Sequence, residues 1–206
     1  APEYRYVEAG NKSAALNAAT EDLGDALAVF LDDDVRVAPD LLCLYAEAAD
    51  RNPSRCFFGG PFAADYVKPP PEWLLPYLPT SAKGWEPEVY QPIRKGILWF
   101  IGANWAAYNV DLKRAGGFDP EVGPGATSGA TGQETAMQQA LVKSAVTPVY
   151  VPGARVWHYV PESRCSPEWA LERAFKNGVS LGLKTVSGAP REQLFGVPRW
   201  MIRRRL

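Results

Sequence analysis

The run Val29-Phe30-Leu31-Asp32-Asp33-Asp34, preceded by Ala28, drives four apolar residues straight into three carboxylates. A short apolar run of this kind reads as a strand buried on both faces of a sheet. The acids then stand at the strand's carboxyl end, the side on which open α/β sheets bind ligands. Neighbouring carboxylates repel one another and resist burial unless a cation or hydrogen-bond donors offset their charge. On an extended backbone Asp32 and Asp34 face the same side. Two oxygens so placed suit a hard divalent cation, and such a cation suits a phosphate. The plainer alternative is a polar turn closing a strand.

The rest of the chain is compatible with a catalytic domain. Its 206 residues are 47% hydrophobic with a net charge of -1, enough for one domain with a proper core. With 22 basic and 23 acidic residues, nothing in the charge balance points to nucleic acid. Cys43, Cys56 and Cys165 are too few and too scattered for a disulfide framework or metal knuckle, and they fit a reducing, cytoplasmic setting. The longest apolar stretch, residues 96–108, is too short to span a bilayer. The chain begins with Ala1, so processing or trimming is expected.

Outward from the acids, helices and short strands alternate, which argues α/β. Residues 12–21 are rich in helix formers. Pro39 suits the first turn of a helix reaching about residue 50, and 55–60 reads as a strand. Prolines crowd residues 69–79, so 61–95 is expected to be a long loop presenting aromatic faces or packing them on the core. Residues 96–108 read as a buried strand entering a Gly102-Ala103-Asn104 bend. A helix near 111–115 should stop at Gly116-Gly117. Residues 123–132 look like a mobile glycine-rich loop before a helix at 133–144. Two short strands, 148–151 and 155–160, precede a helix capped by Ser166-Pro167.

Read together, four features carry a likeness. Lys12-Ser13-Ala14-Ala15-Leu16-Asn17 followed by the Asp32-Asp33-Asp34 run, Gly102-Ala103-Asn104 with Gly116-Gly117-Phe118-Asp119, Gly132-Gln133-Glu134, and Tyr150 to His158 come in the order of glycosyltransferase family 2 motifs. The chain resembles that inverting family over nearly its whole length. The resemblance implies a GT-A-like fold, a Rossmann-like mixed sheet flanked by helices. It also implies a core over residues 1–160 and a helical extension over 161–206 packed on it.

The resemblance further implies transfer of a sugar from a nucleotide-diphospho-sugar to a saccharide or lipid-linked acceptor hydroxyl, with Mn²⁺ or Mg²⁺. Its Asp-x-Asp motif falls on Asp32 and Asp34, with His158 completing the metal shell or touching the pyrophosphate, a structural histidine being the plainer reading. A dication there would act as a Lewis acid on the departing diphosphate. Direct displacement also needs a base for the acceptor hydroxyl, and Glu134 holds that position at a helix start. The family shows Glu-Asp where this chain has Gln133-Glu134, so the carboxylate is one methylene longer. Lys12, Asn17, Asp33, Asn104 and Trp105 complete the expected donor and acceptor contacts. Each has a plainer role open to it: helix start, loop tie, turn, or core. Arg164 could reach a phosphate, with a surface ion pair as the simpler reading.

Two departures shape the expectation. The family opens with strands that bind the nucleotide base and have no counterpart here, so the domain is expected to be N-terminally incomplete, as a fragment or with another chain supplying that part. An exposed sheet edge would then favour a homodimer. The tail at 200–206 mixes apolar and basic residues, suiting either the inner face of an anionic membrane or a basic helix end. Two other functions stand against transfer: a carbohydrate-binding or interaction module without activity, and a haloacid-dehalogenase-like phosphatase. The phosphatase motif wants Thr or Val where Arg36 stands.

Overall fold

The computed structural model describes residues 3–86, 99–185, 193–194 and 197–198. In chain order these form α1 (Lys12–Thr20), β1 (Leu27–Phe30), β2 (Val35–Val37), α2 (Leu41–Arg51), β3 (Cys56–Gly59) and β4 (Phe62–Tyr66). A 3-10 helix at Glu72–Tyr77 leads to α3 (Thr80–Lys83) and β5 (Gly84–Trp85). Then come β6 (Trp105–Tyr108), α4 (Asn109–Arg114), α5 (Gln133–Lys143), β7 (Thr147–Tyr150) and β8 (Val156–Val160). A 3-10 turn at Glu162–Arg164 precedes α6 (Pro167–Thr185), and the short strands β9 (Gln193–Leu194) and β10 (Val197–Pro198) pair with each other.

The architecture is α/β, but with two main mixed sheets where one was expected. The first has the order β1-β6-β3-β7 and the second β2-β8-β4-β5. The division starts at the acids. β1 stops at Phe30, Asp33 and Asp34 form a turn, and β2 leaves that turn to pair antiparallel with β8. The turn also ends the extended alternation that would have set Asp32 and Asp34 on one side.

Alternation along β3 then joins two cores. Phe57 points into a cluster with Phe30, Trp105, Phe118, Met137 and Leu141. Phe58, on the opposite face, joins Leu41, Tyr45, Phe62 and Val156 between the sheets. The indole of Trp105 stacks on Phe30 with centroids 4.5 Å apart, an offset arrangement that adds to their area burial. α2 delivers Leu41, Tyr45 and Ala48 to the second core from one helical face. A third, smaller core gathers Leu74 and Leu78 with Val160 and Ala170, seating the start of α6 on the second sheet. Ser166 Oγ accepts the Trp169 N–H, as its reading as a cap requires.

Two local expectations are corrected. Residues 61–86 are structured, holding β4, β5 and two helical segments, because the prolines flank β4 or sit where no strand donor is needed. The leucines of the proline-rich segment pack inward while Trp73 and Tyr77 are exposed. The bend at Gly102-Ala103-Asn104 precedes its strand: Asn104 N–H donates to Ile101 O, and only Trp105–Tyr108 are extended. Residues 96–98 of that expected strand, 87–95 of the expected loop and the tail at 200–206 lie outside the described residues. Among the described residues, no helix is long and apolar enough to cross a membrane.

Candidate functional site

Asp32 lies two residues past β1, and its Oδ1 accepts a hydrogen bond from Lys12 Nζ at 2.6 Å. Lys12 can reach it because it opens α1, whose start is capped by Asn11 accepting the Ala14 N–H. Both side chains of the pair are about one-third exposed (33% and 30%). They line a pocket of about 420 Å³ together with Gly102, Gln133 and Glu134. That volume suits a small-molecule ligand. Five consecutive residues, 27–31, also line it. Side chains of a strand alternate between faces, so a pocket touching all five runs along the strand's edge.

Glu134 reaches this pocket through two fixed points. Gly132 caps α5 in the left-handed region at φ 88°, where a side chain would be strained. One turn further on, Gln138 clamps the backbone of Phe100, donating to its O and accepting from its N–H at 3.0 and 2.8 Å. The clamp sets the chain entering Gly102 against the first turn of α5. A methyl group added at Gly102 would meet the Glu134 carboxyl carbon at 3.4 Å.

The segment before α5 is tied to α1 and to itself by hydrogen bonds. Asn11 Nδ2 donates to Pro120 O, Ser13 Oγ to Val122 O and Lys12 N–H to Pro124 O. Gly123 N–H closes the loop onto Ala130 O.

Asp34 belongs to the second sheet. Its carbonyl accepts the Tyr159 N–H, and the β2–β8 register sets Val35 opposite His158. His158 Nε2 thereby lies 3.5 Å from Asp34 Oδ2, and Arg164 Nη1 lies 3.6 Å from the same oxygen. His158 is buried, and its Nδ1 has no hydrogen-bond partner. Its polar contact therefore runs through Nε2 toward the acid. Arg164 arrives from the 3-10 turn after β8, a position that its distance in sequence from the acids concealed.

A carboxylate oxygen and an imidazole nitrogen 3.5 Å apart form a donor pair that one dication can bridge, and Mn²⁺ or Mg²⁺ takes such a pair when a ligand's phosphates complete the shell. Among the described residues there is no group of three or more His, Cys, Asp or Glu side chains able to hold a metal alone. Asp34 and His158 supply two donors, so a cation held there would need further ligands to complete its shell.

Of the other expected residues, Trp105 also lines the pocket, while Asn17, Asn104 and Asp33 sit elsewhere. Asn17 clamps the backbone of Phe118 from both sides of its amide. Asn104 is fully buried: it accepts from Tyr45 Oη at 2.7 Å and donates to Pro61 O and Ala154 O. Trp105 lines the pocket's wall but is a core residue, 1% exposed. Asp33 is exposed in its turn. The structure thus brings Lys12, Asp32 and Glu134 to one pocket, and Asp34, His158 and Arg164 to one cluster. The acid run connects the two groups.

The chain matches no protein-family model and no curated protein.

Proposed function

We propose that the chain transfers a glycosyl group from a nucleotide-diphospho-sugar to an acceptor hydroxyl, on a GT-A-like fold and with inversion at the anomeric carbon. One observation carries the reading: Asp32 and Glu134, far apart in sequence, line a single pocket that runs along β1 and past its carboxyl end. A saccharide or lipid-linked acceptor fits the scheme equally.

The chemistry asks two things of these residues. The acceptor oxygen bonds to the anomeric carbon as the bond to the diphosphate oxygen breaks and its electron pair departs with the diphosphate. The proton lost by the acceptor goes to the Glu134 carboxylate, which acts as general base. Lys12 and Arg164 supply positive charge toward the departing diphosphate, where fixed charge counts most. Asp34 and His158 would hold Mn²⁺ or Mg²⁺. When bound, such an ion neutralises the leaving group as a Lewis acid.

Substitution of Glu134 by Gln tests the assignment. Isothermal titration with UDP and GDP should show unchanged binding, while transfer falls by about 10²-fold or more. Unchanged turnover would remove Glu134 as the base. Release of phosphate from simple phosphomonoesters, with no glycosyl transfer, would replace the reading with a phosphatase.

A further inference from the structure

One side of the pocket is a strand edge. Its lining takes in every residue from 27 to 31, which are β1 and the residue after it. More of the lining comes from one face of α1 and the turn that follows, with Lys12, Leu16, Ala19 and Leu23 at helical spacing. The pocket is therefore a groove between a helix and a strand edge, and Trp105 and Phe118 add apolar surface to it. Among the described residues β1 pairs with β6 alone. In an antiparallel pair alternate residues bond the partner strand, and those between turn their N–H and C=O away from it. On the groove side of β1 these outward groups have no hydrogen-bond partner among the described residues.

These backbone groups decide what can fill the groove. An aliphatic ligand would cover the apolar lining but strand the edge's polar groups away from water, which is costly. An extended polypeptide covers the lining and bonds the edge at once. Charge then selects its ends. Asp25 stands two residues before β1 and Asp33 three after it, and both are exposed. We propose that the β1 edge is a docking site for an extended segment of another polypeptide. The segment has about five residues with apolar side chains at alternate positions, and Lys or Arg at both ends. Basic ends meet acid whichever way the added strand runs, whereas a second copy would set acid against acid. The proposal does not rest on the glycosyl-transfer reading, because the strand takes the groove along β1 and Asp32 lies past it.

The probe is the peptide Arg-Val-Thr-Val-Thr-Val-Arg, blocked at both termini and titrated into the full chain. Amide chemical shifts should move at residues 27–31 and at Leu16, Ala19 and Leu23. Amide exchange at alternate residues of β1 should slow on saturation, as their N–H groups gain partners. Methylating alternate backbone nitrogens of the peptide removes the donors of one edge. One alternate set should weaken binding about 30-fold, through loss of about two hydrogen bonds. The other set faces away from β1 and should leave binding nearly unchanged. The peptide Glu-Val-Thr-Val-Thr-Val-Glu should bind about tenfold more weakly than the Arg peptide, and added salt should narrow that difference. Asp25→Lys combined with Asp33→Lys should invert the preference.

Failure of the Arg peptide to bind, or shifts confined to residues outside the groove, would overturn the proposal. Equal binding of both methylated peptides would show that the groove takes apolar side chains without pairing its backbone, and strand addition would fall. Equal binding of the Glu and Arg peptides at low salt would remove the charge selection. If the chain dimerises through residues 27–31 and the peptide cannot displace the copy, the edge belongs to a second copy instead. None of these outcomes bears on the glycosyl-transfer reading, which stands or falls on transfer itself.

Discussion

Asn104 shows how one side chain can be indispensable without touching a ligand. Its amide links Tyr45 of α2, the β3–β4 connection at Pro61 and the β7–β8 connection at Ala154, and so ties the two sheets together. A buried amide must satisfy its donors and acceptor within the protein; this one does, which is why a polar residue survives at the centre of the fold. Gly60 is needed for the same junction, since a Cβ there would lie 1.7 Å from Ala154 O. Burial pushes the Tyr45 phenol well above its ordinary 10.0, because the anion would be stranded in the core. The linkage sign follows. The unfolded phenol loses its proton near pH 10 while the native one keeps it, so stability is complete below pH 10 and declines above it. Tyr66, Tyr108 and Tyr150 are raised mainly by burial as well and act in the same direction. Urea midpoints should therefore fall as pH rises beyond 10. Tyr45→Phe should make that decline shallower by up to about 1.4 kcal/mol per pH unit. An equal slope in the variant would show that Tyr45 ionises as freely folded as unfolded.

At the scale of elements, the clearest lesson concerns the segment between α4 and α5. Its glycines suggested a mobile loop. In the structure, residues 120–124 are laced to the first turn of α1 by Asn11, Lys12 and Ser13. Glycine permits tight turns as readily as it permits motion, and composition alone does not distinguish the two. Gly125 illustrates the tight use: at φ 85° its missing Cβ would sit 2.1 Å from Gly10 O. The lacing couples the helix that carries Lys12 to the helix that carries Glu134. Ser13 is fully buried, and its hydroxyl is the partner of Val122 O. Ser13→Ala should cost on the order of 1–2 kcal/mol. Amide exchange at Gly123, Ala126 and Gly129, whose N–H groups bond within the loop, should accelerate. Exchange in β3 and β6 should change only by the global loss of stability. Equal acceleration throughout would show that the loop does not open as a local unit.

Across the whole molecule, what the sequence made legible was local. The helices opening near Lys12, Leu41, Gln133 and Pro167 and the strands ending at Phe30 and Gly59 stand close to where periodicity and turn residues put them. The second sheet was not legible, because β2 has three residues and β5 two, too few to show a period. Its existence depends on registers such as Val35 opposite His158, which no local pattern encodes. The same holds at the site: Asp32, Asp34, Glu134 and His158 drew notice by type and order, whereas their partition between a pocket and a separate cluster is a product of packing. Long-range register also decides which sheet edges are exposed. β2 carries the charge of Arg36, β5 is only two residues long, and β7 contains Pro148; each is a recognised way to protect an edge. β1 has none of these, and β6 is its one neighbour among the described residues. Two copies pairing antiparallel through β1 would cover the pocket along that edge and set Asp32 and Asp33 of one opposite Asp25 and Gly24 of the other, so backbone pairing is opposed by acid–acid repulsion. Salt screens exposed charges while leaving apolar burial and backbone pairing largely intact. Sedimentation velocity should therefore reveal reversible dimers that grow with protein concentration and with added salt. Leu31, 40% exposed beside this edge, is the place to oppose them: Leu31→Lys adds a charge that would have to be buried on pairing and should suppress the dimer. A monomer at every concentration, or a dimer that salt dissociates, would show that the β1 edge does not pair with itself.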